Sequence, residues 1–441
     1  MNPNQSHSPA KSRPHPSRTN TLLVVAALFT LLLTLPKPAA AQTSILNGKA
    51  IHMLLVGDPF AVALQKSAAQ LEQMAGGTLN IEVVGYDDLY HQILLNAKDL
   101  ESSYDIISFD SVWAGEFGKS KLLLPLSDLV KASKIVEPSD FLEIAYASAQ
   151  YQGVQLGLPI QPHPELMWYR TDIFKDAGLQ PPVTTDDVLA AAKLLTKPDQ
   201  KQYGICWNGQ KGQALGQQIA HFYAAFGQHL LNEQGQPTLN TPKGIAAASY
   251  ALALLPYSPP DVLNMAWDQR PQRFGSGGCV MTYEWAARTY LVEDPATSRI
   301  AGKIGYVAAP HAPGEKSVTA MGAWHLGIPM NIGARKDIAW KFMEWLTSGA
   351  TEKFLAIQGN GGMPRYSIMR DATLSKTYPA FSVVEQLGLA GELADWMRPA
   401  VPQWPGLADA LGQVYHDMLE GKTTPEQAAA QVQKQAESLF K

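Results

Sequence analysis

YDIISFDSVW, Tyr104 to Trp113, is the stretch on which the architecture of this chain turns. Tyr104 to Phe109 reads as a short buried strand. It ends in a carboxylate, Asp110, with an indole, Trp113, about one helical turn further on. Where parallel strands end in open α/β sheets, side chains stop packing between helices and converge on a crevice that holds ligands. An indole presents a stacking face to C–H groups and a carboxylate accepts hydroxyl hydrogens, so the pair suits a polyhydroxylated molecule.

Upstream, Ala50 to Val56 reads as a first strand, and Gly57-Asp58-Pro59 then opens a helix. Asp58 fits a helix cap, with Pro59 at the first helical position, where its missing N–H costs nothing. It equally fits a crevice residue, because it follows a strand on the same edge as Asp110. Phe60, Leu64, Leu71 and Met74 recur near helical spacing, and Gly76-Gly77 stops the helix. Leu79, Ile81 and Val83 alternate as a strand; Leu89, Ile93, Leu94, Ala97 and Leu100 mark a second helix. The order β-α-β-α-β implies a parallel sheet with right-handed crossovers, since no tight hairpin reaches a parallel neighbour.

Downstream, Val154 to Ile160 reads as a strand that Gln161-Pro162-His163-Pro164 interrupts, a rigid segment suited to a crossover, with His163 a candidate facing the crevice. Thr184 and Asp187 form a box-like cap on the next helix. Gly278 to Tyr283 is a strand that ends in Glu284-Trp285, repeating the opening pattern of strand, acid and indole. A second sheet edge facing the first is implied. Trp340 and Trp345 sit in a strongly periodic helix and read as core. Gly359 to Arg365, GNGGMPR, lacks the Lys-Ser/Thr ending of a phosphate loop, so nucleotide binding is not expected.

The 441 residues are too many for one ordinary core and favour a bilobal body. Lys11, Arg13 and Arg18 precede an apolar run, Thr21 to Leu35, and Ala39-Ala40-Ala41 follows: a secretory signal peptide cleaved after Ala41. The run falls short of the ~20 residues that span a bilayer. Cleavage removes Lys11, Arg13, Arg18 and Lys37 and no acid, moving the formal charge from -4 to -8. So acidic a chain is a poor partner for nucleic acid. Cys206 and Cys279 both lie in the exported part, where a disulfide or two free thiols are the alternatives. Without flanking His pairs they do not suggest zinc, and no metal or other cofactor is expected.

Several ordered landmarks carry a family resemblance: YDIISFDSVWAGEFGKSKLLLPLSDL, ELMWYRTDIFKDAGLQPP, GCVMTYEWA, MGAWHLGIPMNIGARKDIAWKFMEWLTS, GGMPRYS and PQWPGLADALG. Their order and spacing over the mature chain resemble the extracellular solute-binding proteins of ABC importers, family 1, the sugar-binding group that includes maltose-binding and glycerol-3-phosphate-binding proteins. The resemblance implies an α/β, two-lobed periplasmic-binding-protein fold of type II, each lobe a mostly parallel sheet flanked by helices, with a ligand cleft between lobes. It places crossings near Gln161, Ala308 and Gly349. Lobe I is then 42–160 with 308–348, and lobe II is 161–307 with 349–441. It further implies a periplasmic monomer, in a Gram-negative bacterium, that closes on its ligand and docks on a membrane permease.

Positions matching cleft sites of the family are Asp110, Trp113, Trp285, Gly322 to Trp324 and Arg365. Tyr169 and Trp404 fall in two further landmarks, Asp58 and His163 come from the strand pattern, and Tyr86 and Asp87 follow the second strand. The function expected is capture of a sugar, oligosaccharide or polyol without chemistry. A sugar phosphate, a glycerophosphodiester or a polyamine is the alternative in the same fold. The competing class is a secreted carbohydrate-active enzyme with Asp110 and Glu284 as its paired carboxylates; no G-x-S-x-G or H-E-x-x-H signature accompanies them.

Overall fold

A computed structural model describes residues 44–441; the expected signal peptide, 1–41, lies outside the described residues. The strands that build the main sheet are β1 (Ala50–Val56), β2 (Thr78–Val84), β3 (Ile106–Asp110), β4 (Leu158–Arg170), β5 (Tyr203–Cys206), β6 (Cys279–Trp285), β7 (Ile304–Val307), β8 (Thr319–Gly327) and β9 (Leu393–Ala394). Their order is β2-β1-β3-β8-β4-β6-β5, with β9 beside β8 and β7 beside β4. Every residue of β3 and of β6 is buried, as strands covered on both faces require. The sheet is parallel at both ends, β2-β1-β3 and β6-β5, and antiparallel through the centre, where β8 and β4 run between the halves.

The first helical stretch divides in two, α1 (Pro59–Lys66) and α2 (Ala68–Ala75), with the break at Ser67. Gly76 ends α2 at φ 70°, a left-handed conformation that glycine adopts without a Cβ penalty. Thr184 accepts a hydrogen bond from the Asp187 N–H and the reciprocal bond completes a capping box.

One sequence expectation is corrected. Gln161-Pro162-His163-Pro164 does not interrupt a strand: β4 runs unbroken from Leu158 to Arg170 through both prolines. From Leu158 to Pro164 its partner strand is β8; from Glu165 onward it pairs with β6 and β7. The prolines therefore occupy an edge-like half-strand with one partner, where a missing N–H removes no second ladder.

Beyond that switch the second half-sheet holds a fully buried charge cluster. Arg270 reaches both oxygens of Glu284 at 2.9 Å and Glu165 at 3.0 Å, while His221 meets the other Glu165 oxygen. Burial alone would raise the Glu165 carboxyl, but the charge and hydrogen bond of His221, then of Arg270, outweigh it and hold it down to about 2. Nearby, Cys206 and Cys279 on neighbouring strands are joined as a disulfide, Cα to Cα 5.9 Å, across a sequence separation of 73 residues.

Closing a loop of that length stabilises a fold by about 2–4 kcal/mol. Cys206→Ser is therefore expected to lower the urea midpoint, and reductant to lower it equally in the wild-type protein; unchanged midpoints would assign the bridge no such role. Glu165 ionises more easily folded than unfolded, so its contribution is complete above the unfolded glutamate value of about 4.3 and is lost as pH falls toward about 2. Glu165→Gln should be less stable at neutral pH yet show a flatter acid limb of urea midpoint against pH; an acid limb as steep as the wild type's would contradict this.

Candidate functional site

Strand register sets the site. Asp110 of β3 lies beside Trp324 of β8, which lies beside Gln161 of β4, and further along β4 Glu165 lies beside Trp285 of β6. These two rows border a cavity of about 370 Å³. Asp58, Tyr86, Asp110, His163, Trp285, Ala323, Trp324 and Trp404 line it, so eight of the residues singled out in the sequence are brought together.

Asp58 does not cap α1. Its carboxylate makes no cap hydrogen bond. The α1 N–H of Phe60 instead donates to Gln161 Oε1 at 2.8 Å, so a side chain from β4 satisfies an amide that a cap would otherwise take. Asp58 is thereby free to face His163, whose Nε2 lies 3.3 Å from Oδ2, and Arg288, 3.8 Å from Oδ1. Burial works to raise the Asp58 carboxyl; the charge and hydrogen bond of His163, with Arg288, outweigh it and leave it below its ordinary value. Oδ1 is buried and accepts no hydrogen bond.

Asp110 is the second anchored carboxylate. Arg398 Nη2 donates to its Oδ2 at 2.7 Å and the Tyr86 hydroxyl donates to the same oxygen at 3.0 Å. Burial and the neighbouring Asp110 push the Tyr86 phenol well above its usual value, so it remains a donor. Tyr86 packs against Trp113 at 5.0 Å and Trp324 at 5.9 Å between centroids, a tilted and edge-on aromatic cluster on the first-half wall. On the other wall, Trp285 stands edge-on between His163 and His221, at 5.8 and 5.5 Å. The buried Glu165 cluster thus stands directly behind it.

Other sequence candidates lie elsewhere. Trp113 is behind Tyr86 and Trp324, 2% exposed, and supports the wall without lining the cavity. Gly322 lacks a side chain to offer; its place matters because a Cβ there would overlap Arg398. Tyr169 packs on Phe174 and against Gly305. Arg365 is fully buried away from the cavity, donating to Glu352 at 2.7 Å and to the Thr347 carbonyl at 2.6 Å. The turn that carries it points inward, where an unpaired guanidinium would be costly. Asp87 is exposed in the first turn of α3 (Tyr86–Asn96). Glu284, the imagined partner of Asp110, has both oxygens held by Arg270 and does not line the cavity.

Six polar or aromatic lining residues escaped the sequence reading: Arg398, Arg288, Trp267, Asp268, Gln213 and Gln217. Trp267-Asp268 carries the same adjacency of indole and acid as Glu284-Trp285, and that signal was available. Arg288 follows the β6 strand end by three residues. Arg398 sits in an irregular segment and has no local signature.

A family model for the bacterial extracellular solute-binding protein matches residues 57–353. The mannitol-binding protein of Pseudomonas aeruginosa is 26% identical over 347 residues, 75% of this chain and 79% of that protein. A solute-binding protein of an ABC transporter from Agrobacterium radiobacter, solved with ribitol, superposes with a TM-score of 0.84 at 30% identity, covering 90% of this chain and all 100% of that one. Another from Agrobacterium vitis, solved with D-mannitol, shares the fold at a TM-score of 0.79 and 22% identity, covering 89% and 98%. With the match spanning most of the chain and the cavity between two half-sheets already described, this chain belongs to the bacterial extracellular solute-binding proteins.

Proposed function

We propose that this protein captures a neutral polyol or sugar in the periplasm and delivers it to an ABC importer, with five- and six-carbon alditols the first candidates. One observation carries the reading: the cavity has indoles on both walls, and its charged groups are already paired within the protein, Asp110 with Arg398 and Asp58 with His163 and Arg288. A ligand with no charge of its own has nothing to displace. Its hydroxyls would meet the polar side chains that line the cavity, and its C–H faces the indoles. The relatives solved with ribitol and D-mannitol support the alditol choice.

The lobes we propose are 42–160 with 308–348 and 161–307 with 349–441, closing about the crossings near Gln161, Ala308 and Gly349. The change of partners along β4 between Pro164 and Glu165 supports the first crossing. A closed monomer would then present both lobes to the permease. The enzymatic alternative is weakened because Glu284 is sequestered by Arg270.

A thermal-shift panel of ribitol, D-mannitol, maltose, glycerol 3-phosphate and spermidine tests the reading, since a ligand at 100 times its Kd stabilises by about 2.7 kcal/mol. Stabilisation by a neutral member without conversion in product analysis is the expected outcome. Stabilisation by glycerol 3-phosphate or spermidine alone, or turnover of any member, would refute it. Trp285→Ala should weaken binding by about 1–3 kcal/mol with the fold intact; an unfolded variant would return the indole to the core.

A further inference from the structure

Resting on the reading of a neutral ligand, we propose that Arg398 is the specificity-determining residue of the cavity: a cation built into the protein that occupies the Asp110 carboxylate and so excludes ammonium-bearing ligands, with Gly322 the positioning residue that admits it.

Several observations meet at this residue. The guanidinium is 8% exposed and donates to Asp110 Oδ2 at 2.7 Å, across 288 residues of sequence. Its Cζ stands 5.8 Å from the Trp285 ring centroid, so it touches both walls. Nε is buried and has no hydrogen-bond partner, a donor left over after the ion pair is made. Nη1 occupies the space over Gly322 where any other residue would place its Cβ. The segment beneath is fixed independently: Met397 is fully buried with Ala224 and Ala320, the Arg398 N–H donates to the Asp395 carbonyl at 2.8 Å, and the Trp396 ring stacks on His229 at 3.7 Å. Arg398 is therefore presented to the cavity by an anchored segment.

Remove that cation in thought and the chemistry of the cavity changes class. Asp110 would be a buried carboxylate ringed by Tyr86, Trp324 and Trp285, and a carboxylate with aromatic faces is what an ammonium group seeks. Arg288 and the His163 imidazole would remain among the lining residues against Asp58, Asp110 and Asp268, and both are already committed, His163 to Asp58 at 3.3 Å and Arg288 to Asp268 at 3.3 Å and to the Trp267 carbonyl at 2.7 Å. With Arg398 present, an incoming ammonium meets a like charge at close range. Neutral hydroxyls meet no such opposition.

The test is a selectivity measurement by calorimetry at pH 7 with D-mannitol, ribitol, 1-amino-1-deoxy-D-mannitol and spermidine. The proteins compared are the wild type, Arg398→Met, Arg398→Lys and Gly322→Ala, each checked for cooperative urea unfolding. Wild type should prefer the alditol over its amino analogue by roughly 100-fold, the scale of a close like-charge contact. Arg398→Met should collapse or reverse that ratio, Arg398→Lys should largely keep it, and Gly322→Ala, which displaces the guanidinium and leaves it in the chain, should move it toward the Met variant. A guanidinium that only staples the fold would change unfolding and leave the ratio alone. Equal binding of alditol and amino alditol by the wild type, or an unchanged ratio in folded Arg398→Met or Gly322→Ala, overturns the proposal and leaves polyol capture standing. Wild type that binds none of the neutral alditols overturns polyol capture and this proposal together.

Discussion

One strand, Leu158–Arg170, holds the two walls of the cavity in register. Side chains two apart share a face of a strand, and here Gln161, His163 and Glu165 do three different jobs from that face. Gln161 takes the Phe60 N–H and fixes the start of α1; His163 faces the carboxylate that this substitution sets free; Glu165 anchors the cluster behind Trp285. Each wall is thus referenced to the same backbone. The change of partner strand between Pro164 and Glu165 falls in the middle of this set, so any motion of one half against the other would be centred on it.

Electrostatics then decides what such a cavity can hold. Burying an ionised group is costly unless it is paired and hydrogen-bonded. The carboxylates at the cavity floor meet this condition with protein partners, Arg398 and Tyr86 for Asp110, His163 and Arg288 for Asp58. The cluster of Glu165, His221, Arg270 and Glu284 repeats the solution behind Trp285. What remains for a ligand is aromatic surface beside polar side chains that are already paired within the protein. This is a surface for a molecule rich in hydroxyls and C–H groups, and a poor one for a net charge.

The sequence by itself determined the elements whose physics is local. Strand β3 with its terminal acid, the stop at Gly76, the capping box at Thr184 and the repeated pairing of acid and indole at Glu284-Trp285 all follow from residue type and spacing, and with them the α/β class. It also placed Asp110 and Trp285 at strand ends and Asp58 just past one, and they share one cavity with Trp324, which the structure puts within β8. Where a side chain points once two walls meet is not a local property, and only the tertiary structure decided it. Asp58 reads as a helix cap until Gln161, more than 100 residues away, supplies the bond in its place. Arg365 and Arg398 look alike in the sequence, each in an irregular segment beside a proline. The fold buries the first on Glu352 and brings the second to Asp110 over a glycine that leaves it room. Partners so distant in the chain leave no periodicity to read, because their meeting is fixed by the packing of the whole sheet.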